Sequence, residues 1–164
     1  MTKRRFLGGA GAAAAAAALG ATFLGRGSEA SAESFELNLT PEQWRARLTP
    51  QQFRILRQQG TERAGSSPLD REHRRGTFVC AGCDLPAYRS QDKFESGTGW
   101  PSFVRPIAGN VRTRPDNSLF MARTECHCRR CGGHQGHVFD DGPPPTGQRW
   151  CINGAALKFV PARA

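Results

Sequence analysis

FVCAGC, residues 78–83, holds one of two Cys-x-x-Cys pairs in this chain, and CHCRRC, residues 126–131, holds the other. Each pair presents two sulfurs on one side of a tight turn, so two pairs supply four thiolates for a tetrahedral metal ion. The candidate ligands are Cys80, Cys83, Cys128 and Cys131. This spacing predicts one structural zinc ion that pins two distant loops of a single domain together. Disulfides and redox dithiols are the alternatives.

The segments around these pairs predict an all-β domain. Short apolar stretches broken by Gly and Pro follow Gly76 at roughly ten-residue spacing, which is typical of β-strands. They are Thr77–Val79, Tyr88, Phe103–Val104, Val111–Thr113, Leu119–Glu125, His137–Phe139, Arg149–Asn153 and Ala156–Val160. Upstream, TPEQ (40–43) and TPQQ (49–52) each have the Thr, Pro and Gln of a helix start, and predict two short helices. Residues 33–39 are expected to be a frayed start.

Residues 1–32 have the order of an export signal. The basic start KRR, residues 3–5, precedes an uncharged stretch over residues 6–24 and the small-residue site ASA at 30–32. The paired arginines and the Ala- and Gly-rich middle resemble a twin-arginine signal. We predict a cleaved signal and a mature domain over residues 33–164, which is periplasmic or extracytoplasmic and has no stable membrane association. A retained anchor is the alternative, because the uncharged stretch is long enough to span a bilayer.

Length and charge limit the class of protein. The chain has 164 residues, enough for one domain with a single core. Its net charge of +9 is partly due to the leader, and the remaining arginines are scattered. A nucleic-acid-binding zinc module would instead cluster Lys and Arg near exposed aromatics, so no nucleic-acid partner is predicted. A zinc site on reduced thiols also suits assembly in the cytoplasm followed by export of the folded protein, which a twin-arginine route permits.

Cys151 is a candidate nucleophile. It lies in GQRWCIN, residues 147–153, where Arg149, Cys151 and Asn153 would share one face of an alternating strand. A neighbouring guanidinium favours the thiolate, which is the reactive form of cysteine. A buried structural cysteine is the alternative interpretation.

Two histidines follow the second cysteine pair. His134 and His137 are three residues apart, and such a pair can bind a metal, act as acid–base groups or serve as structural residues. Because four thiolates already suffice for zinc, the sequence favours acid–base or substrate-binding roles.

The motifs taken together resemble the type B methionine sulfoxide reductases, the enzymes specific for the R epimer of methionine sulfoxide. The resemblance extends from Leu48 to Pro161 and rests on FVCAGC (78–83), KFESGTGWPSF (93–103), HQGHVFDDGP (134–143) and RWCIN (149–153). It implies a small, mainly antiparallel β domain, with two sheets and short helices in front. The implied reaction is the reduction of methionine sulfoxide in oxidised proteins.

The resemblance also implies site roles. Cys151 matches the nucleophile, which becomes a sulfenic acid, and His134 and His137 match the histidines that hold or protonate the sulfoxide oxygen. Trp100 matches the aromatic residue that packs against the methyl group. The remaining matches are Asn153, a polar residue that orients the site, and Arg149, the cation beside the nucleophile.

Departures from the family pattern concern recycling of the sulfenic acid. Many members have a resolving cysteine where this chain has Thr98, and Cys126 stands at a position that is usually aliphatic. Cys126 is therefore either a small buried residue or an alternative resolving cysteine. If it is buried, an external reductant, thioredoxin-like or another thiol, must act directly on Cys151. Gln135 replaces the usual Leu, with an expected effect only on substrate fit.

Two other classes of function stay open. A structural or metal-storage domain would use the four paired cysteines but would leave Cys151, Trp100 and the histidines without a role. A catalytically inactive descendant would keep the zinc and the fold but would not turn over sulfoxide.

Overall fold

The structure is a computed structural model that describes residues 33–118 and 121–163. The described helices are α1 (Pro41–Arg47) and α2 (Pro50–Gln58). The strands are β1 (Gly76–Cys80), β2 (Pro86–Arg89), β3 (Lys93–Phe94), β4 (Ser102–Phe103), β5 (Val111–Asp116), β6 (Arg123–Cys128), β7 (His134–Phe139), β8 (Arg149–Ile152) and β9 (Leu157–Pro161). Neither described helix has the length and apolarity needed to cross a membrane. The predicted export signal lies outside the described residues.

Both helices begin where the sequence predicts. Thr40 accepts a hydrogen bond from the Gln43 backbone N–H at 3.3 Å, and the Gln43 side chain accepts one from the Thr40 N–H at 2.8 Å. Thr49 and Gln52 make the same reciprocal pair. These bonds satisfy backbone donors that a helix start otherwise leaves unpaired. The two capping boxes are confirmed.

The strands form two antiparallel sheets, which confirms the predicted fold class. The smaller sheet has the order β2-β1-β9, and the larger has the order β3-β4-β8-β7-β6-β5. The central strands of the larger sheet are therefore β8 and β7, which carry Cys151 and His137 opposite one another. Consecutive strands of an antiparallel sheet place opposed side chains on one face, so this register fixes the site.

An aromatic cluster joins the two sheets. Phe78 on β1 meets Phe103 on β4 edge to face at 5.1 Å, and Tyr88 on β2 stacks on Phe103 at 4.4 Å. Ile152 on β8 is fully buried in the same cluster. Because aromatic side chains bury large apolar areas, this contact provides much of the attraction between the sheets.

Residues 33–39 differ from expectation, since they are not frayed. Leu37 donates its backbone N–H to the Arg130 carbonyl at 2.9 Å, and Glu33 pairs with Arg112 at 2.8 Å. Phe35 packs its ring edge on buried His127. The partners of this segment lie far along the chain, so no local pattern signalled these contacts and the prediction was wrong.

Two strand predictions also needed correction. The strand expected over residues 119–125 is instead Arg123–Cys128, while Leu119 and Phe120 lie outside the described residues. The two-residue strand β3 was missed, because its pairing with β4 depends on a neighbour rather than on alternation within so short a segment.

Candidate active site and cysteine cluster

The four paired cysteines come together as predicted. Their Sγ atoms all lie within 4.8 Å of one another, with Cys80 and Cys131 separated by 3.7 Å and Cys83 and Cys128 by 3.4 Å. A tetrahedral zinc ion with Zn–S bonds of about 2.3 Å places its sulfurs about 3.8 Å apart. The donor set therefore fits one metal ion, and all six cysteines of the chain are free thiols.

Each cysteine turn closes with a residue in the left-handed conformation. Asp84, with φ of 60°, follows the first pair, and Gly132, with φ of 67°, follows the second. Gly132 is required for space as well, because a Cβ there would lie 2.4 Å from the Phe35 ring. Glycines near the pairs can supply this backbone freedom. In the first turn, however, Asp84 and not Gly82 adopts the left-handed conformation.

The cluster lies where the two sheets meet. The first turn ends β1 of the smaller sheet and the second ends β6 of the larger sheet. Trp44, Leu56 and Leu85 bury the thiols among helix and loop side chains. A metal ion bound here would therefore cross-link the two sheets.

A separate cleft of about 200 Å³ contains the candidate nucleophile. Cys151 lines it together with Trp100, His137 and Asn153, so the sequence-predicted residues from three motifs share one cavity. The other lining residues are Thr61, Arg123, Gly136 and Phe139. A wider groove of about 430 Å³ beside Arg75 and Arg89 has no cysteine in its described lining. Chemistry rather than size therefore identifies the smaller cleft as the candidate active site.

The Cys151 thiol is partly buried on the cleft wall. Burial raises the pKa of Cys151 above its usual range, while the Arg149 charge and hydrogen bonds from Thr98 and Arg149 act in the opposite direction without overcoming it. Arg149 thus favours the thiolate as predicted, but the net shift is upward. The resting site holds a protonated thiol at neutral pH, so proton removal must accompany its reaction.

Arg149 is held by a carboxylate that the sequence interpretation did not single out. Its guanidinium donates two hydrogen bonds to Asp141, at 2.8 and 2.9 Å, and lies over the Phe139 ring at 4.4 Å. Such a paired geometry fixes the guanidinium plane. Asp141 lies within the motif HQGHVFDDGP, residues 134–143, and its place in that motif was the available sequence signal.

His137 lies in the cleft and is paired with a second carboxylate. Its Nε2 lies 2.7 Å from Asp116 Oδ2 on β5, and Arg123 donates a hydrogen bond to the same oxygen at 2.8 Å. Hydrogen bonds from Ser118 and His137 lower the pKa of Asp116. Burial lowers the pKa of His137, and the Asp116 hydrogen bond opposes that shift. An ionised Asp116 therefore faces a neutral imidazole.

His134 is buried behind the cleft and does not line it. Its Nδ1 lies 2.7 Å from Glu125 Oε1, and its ring centroid is 5.3 Å from that of His137. Burial opposes ionisation of Glu125, but hydrogen bonds from His134 and Arg114 outweigh it and lower the pKa of this carboxyl to about 2. The two histidines are thus adjacent, as predicted, but only His137 reaches the cavity.

Glu62 is a buried residue that the sequence interpretation missed, and it holds two cleft residues in place. Its backbone N–H donates to the Asn153 side chain at 2.9 Å, and its carbonyl accepts from the Trp100 indole at 3.2 Å. Its carboxylate accepts from the backbone N–H groups of Gly154 and Ala155. No local pattern identifies such a residue, because its partners lie 38 or more positions away.

Cys126 lies on the opposite face of the larger sheet from Cys151. In the pairing of β6 with β7, Cys126 is opposite Gly136, and in the pairing of β7 with β8, Gly136 is opposite Ile152. Cys151 is instead opposite His137, which is the next residue along β7. Because side chains alternate along a strand, Cys126 points into the core beside Ile152. Burial raises the pKa of Cys126 well above its usual range. A disulfide between the two would require a strand to leave the sheet, so the fold agrees with the buried alternative and not with a resolving role.

The match to known proteins covers the same part of the chain as the sequence motifs. The SelR domain model matches residues 48–161. The chain is 52% identical over 127 residues to a peptide methionine sulfoxide reductase MsrB of Leptospira interrogans, covering 77% of this chain and 97% of that protein. It is 54% identical over 123 residues to the protein of the same name from Thiobacillus denitrificans, covering 74% and 93%. A third MsrB, from Methanosarcina mazei, is 50% identical over 126 residues, covering 76% and 90%.

Proposed function

The chain belongs to the SelR-domain family, the type B methionine sulfoxide reductases, and from that premise we propose how its cleft residues carry out the reaction. The protein reduces R-methionine sulfoxide in proteins to methionine at the expense of thiols. The observation that carries the residue assignment is that Cys151, His137 and Trp100 line one cleft. A nucleophile, a proton carrier and an apolar wall are the three groups that this reaction needs.

Substrate orientation comes first. The sulfoxide methyl group packs against Trp100, whose indole is held by the Glu62 carbonyl, and the sulfoxide oxygen turns toward His137. A flat apolar wall on one side and a polar group on the other distinguish the R from the S epimer, because exchanging methyl and oxygen would leave the polar group unpaired.

Proton transfer follows from the ionisation of the two carboxylates. Asp116 is ionised, so the His137 nitrogen that faces it, Nε2, carries the proton. A neutral ring then leaves Nδ1 as an acceptor for the Cys151 proton. The thiolate attacks the sulfoxide sulfur to form an S–S bond, and the proton passes to the sulfoxide oxygen. The resulting hydroxyl moves from the methionine sulfur to the Cys151 sulfur as the S–S bond breaks, which releases methionine and leaves Cys151 as a sulfenic acid. His134 supports this step from behind through its contact with the His137 ring.

Recycling uses an external reductant. Two thiol groups reduce the Cys151 sulfenic acid to the thiol, with release of water and formation of one disulfide in the reductant. The buried position of Cys126 and the hydroxyl of Thr98 support direct attack by a thioredoxin-like protein or another thiol on Cys151.

The four-cysteine cluster holds zinc in this proposal. Cys80, Cys83, Cys128 and Cys131 are the ligands, and their four-sulfur set and separations suit that ion. The ion acts as a structural cross-link between the sheets and takes no part in the reaction at the cleft. Metal analysis of the purified protein should give one zinc per chain.

The leader directs export in this proposal. Residues 1–32 act as a cleaved twin-arginine signal, and residues 33–164 form the mature reductase outside the cytoplasm. Replacing Arg4 and Arg5 by Lys should retain the protein in the cytoplasm in a cell-fractionation experiment. Export that is unchanged in this variant contradicts the twin-arginine assignment.

The first test of the proposed residues uses a peptide that contains racemic methionine sulfoxide, with dithiothreitol as reductant. Chromatographic separation of the epimers should show consumption of the R form alone. Trp100→Phe and Trp100→Ala should each raise the KM for the sulfoxide peptide. Zinc-containing, folded protein that consumes neither epimer would identify a catalytically inactive descendant.

A further inference from the structure

Glu62 bonds to two parts of the cleft wall at once. Residues 59–67 follow α2 and lie outside every described helix and strand, so their position depends on individual contacts rather than on strand pairing. The Glu62 side chain reaches the short 3₁₀ turn Gly154–Ala156, which follows β8. The Glu62 carbonyl reaches Trp100, which precedes β4. One residue therefore connects the strand of the nucleophile to the aromatic wall of the cleft.

The Glu62 carboxylate is buried and hydrogen-bonded to the backbone of this turn. Glu62 is 3% exposed, and its two oxygens accept from the N–H group of Gly154 and, at 3.0 Å, from that of Ala155. A buried carboxylate costs free energy unless hydrogen bonds compensate for the lost water, and bonds to a charged acceptor are stronger than neutral ones. The two bonds therefore attach Glu62 firmly to the chain that follows β8.

Asn153 explains why a residue from another segment caps this turn. Asn commonly caps a helix start with its own side chain, because the first backbone N–H groups have no partners within the helix. At this turn the Asn153 side chain makes no such bond. It instead donates to the Gln135 carbonyl at 3.0 Å and accepts from the Glu62 backbone N–H at 2.9 Å. Glu62 therefore supplies the cap, and Asn153 joins β7 to the Glu62 segment.

The other end of the connection is the indole of Trp100. Its N–H donates to the Glu62 carbonyl at 3.2 Å, and the nearby Gly65 N–H donates to the Gly99 carbonyl at 2.7 Å. Two hydrogen bonds thus attach the loop around Trp100 to the Glu62 segment. Cys151, by contrast, is held by the pairing of β8 with β4 and β7. A shift of the Glu62 segment would therefore move the tryptophan and leave the nucleophile in place.

We propose that Glu62 is a positioning residue, whose carboxylate fixes the Trp100 wall against which the sulfoxide methyl group packs. This inference rests on the proposed roles of Cys151 and Trp100 in sulfoxide reduction. Glu62 is not among the described residues that line the cleft, and it acts through Trp100. Loss of its carboxylate should therefore weaken substrate binding and leave the reactivity of the nucleophile unchanged.

The test measures steady-state reduction of an R-methionine sulfoxide peptide at saturating dithiothreitol. Glu62→Gln keeps the size of the side chain but replaces one acceptor oxygen by an NH₂ donor, which then faces a backbone N–H. This variant should raise KM about tenfold and change kcat by less than about twofold, because it misplaces a binding wall rather than a reacting group. Glu42→Gln makes the same change at an exposed position on α1 and should alter neither constant.

A double-mutant cycle shows whether the effect passes through Trp100. Trp100→Phe keeps a flat apolar ring but removes the N–H that binds the Glu62 carbonyl. In that background Glu62→Gln should raise KM by no more than about twofold further, because the connection is already broken. A tenfold increase in both backgrounds overturns the inference, and so does an unchanged KM in Glu62→Gln alone.

The nucleophile itself provides a second readout. Alkylation of Cys151 by iodoacetamide, followed by mass spectrometry of the Cys151 peptide, should proceed at the wild-type rate in Glu62→Gln. A slower rate would place the effect on the nucleophile and overturn the positioning of Trp100.

Glu62→Asp carries the same test if Glu62→Gln does not fold. It keeps both acceptor oxygens on a shorter side chain, so the Glu62 segment must move to retain its bonds to Gly154 and Ala155. Its KM should rise about threefold, again with little further increase in the Trp100→Phe background. A KM equal to that of the wild type would show that the placement of the carboxylate has no effect on the wall.

Failure of this inference differs from failure of the proposed function. A wild-type protein that reduces the R epimer, together with wild-type constants in the Glu62 variants, overturns the role of Glu62 alone. A folded, zinc-containing wild-type protein that reduces neither epimer overturns the proposed function, and with it the role of Glu62.

Discussion

The four-cysteine cluster and the Cys151 cleft use the cysteine thiol in two different ways. In the cluster, each thiol has three others within 4.8 Å and is buried at the junction of the two sheets. In the cleft, Cys151 stands on the wall of a cavity, with Arg149, Thr98 and His137 as neighbours. Four converging sulfurs suit a metal ion, whereas a single accessible sulfur among donors suits attack on a substrate.

Their positions in the fold explain why the two regions can coexist. The cluster thiols lie on tight turns at strand ends, where two strands from different sheets can be tied together. Cys151 lies within β8, where both neighbouring strands fix its direction. Changes in one region should therefore affect stability, and changes in the other should affect chemistry.

Replacement of Cys151 by Ser is the strongest test of this division. Loss of the nucleophile should lower the rate of R-sulfoxide reduction by on the order of 10³-fold or more, because no other cleft group can attack sulfur. Thermal unfolding and zinc content should stay close to wild type, since the side chain contributes little to the core. Retained activity would contradict the assignment, and an unfolded variant would contradict the separation of the two regions.

Replacement of Cys128 by Ser should have the converse effect. Removal of one ligand weakens a metal site whose binding energy is coupled to folding, so the unfolding temperature should fall by roughly 10 °C or more. Metal analysis should show less than one zinc per chain. An unchanged unfolding temperature would show that the cluster is not a structural metal site, while Cys151→Ser serves as the matched cysteine control.

Replacement of Glu125 tests the structural support of the cleft rather than the reaction inside it. Its pKa in the folded protein is about 2, below the ordinary value of 4.5, so the stability it contributes is present above pH 4.5 and is lost as the pH falls toward 2. Glu125→Gln should lower the free energy of unfolding by roughly 2 to 3 kcal/mol at neutral pH. The loss of stability with falling pH, which we call the acid limb, should also become less steep. Urea unfolding at pH 7 and pH 3 measures both.

A charge-matched control is available for that experiment. Glu95 is exposed, so Glu95→Gln should retain the acid limb of the wild type. An acid limb as steep in Glu125→Gln as in the wild type would show that the buried carboxylate does not support the histidine pair.

Cys126→Ala should have the smallest effect. The thiol points into the core, so its loss should cost about 1 kcal/mol of stability and leave activity with dithiothreitol unchanged. Activity with thioredoxin should also be unchanged, because Cys126 and Cys151 face opposite sides of the sheet. A selective loss of thioredoxin-driven turnover would restore the resolving role.

Much of the fold was predictable because its signals are local. The two capping boxes each lie within four residues, and each cysteine pair defines its own turn. Strand alternation correctly placed Cys151 within a strand, although β3 was too short to carry a pattern. Residues 33–39 were misjudged, because their order depends on His127 and Arg130, which lie far along the chain.

The sequence by itself determined which residues have the chemistry: four paired thiols, one separate thiol, two histidines and a tryptophan in recognisable motifs. Only the tertiary structure decided their partners. Asp116 and Glu125 each meet a different histidine, Glu62 holds Trp100, and Cys126 faces away from Cys151. The physical reason is that these contacts follow from strand register and sheet packing, in which residues far apart in the chain are brought together.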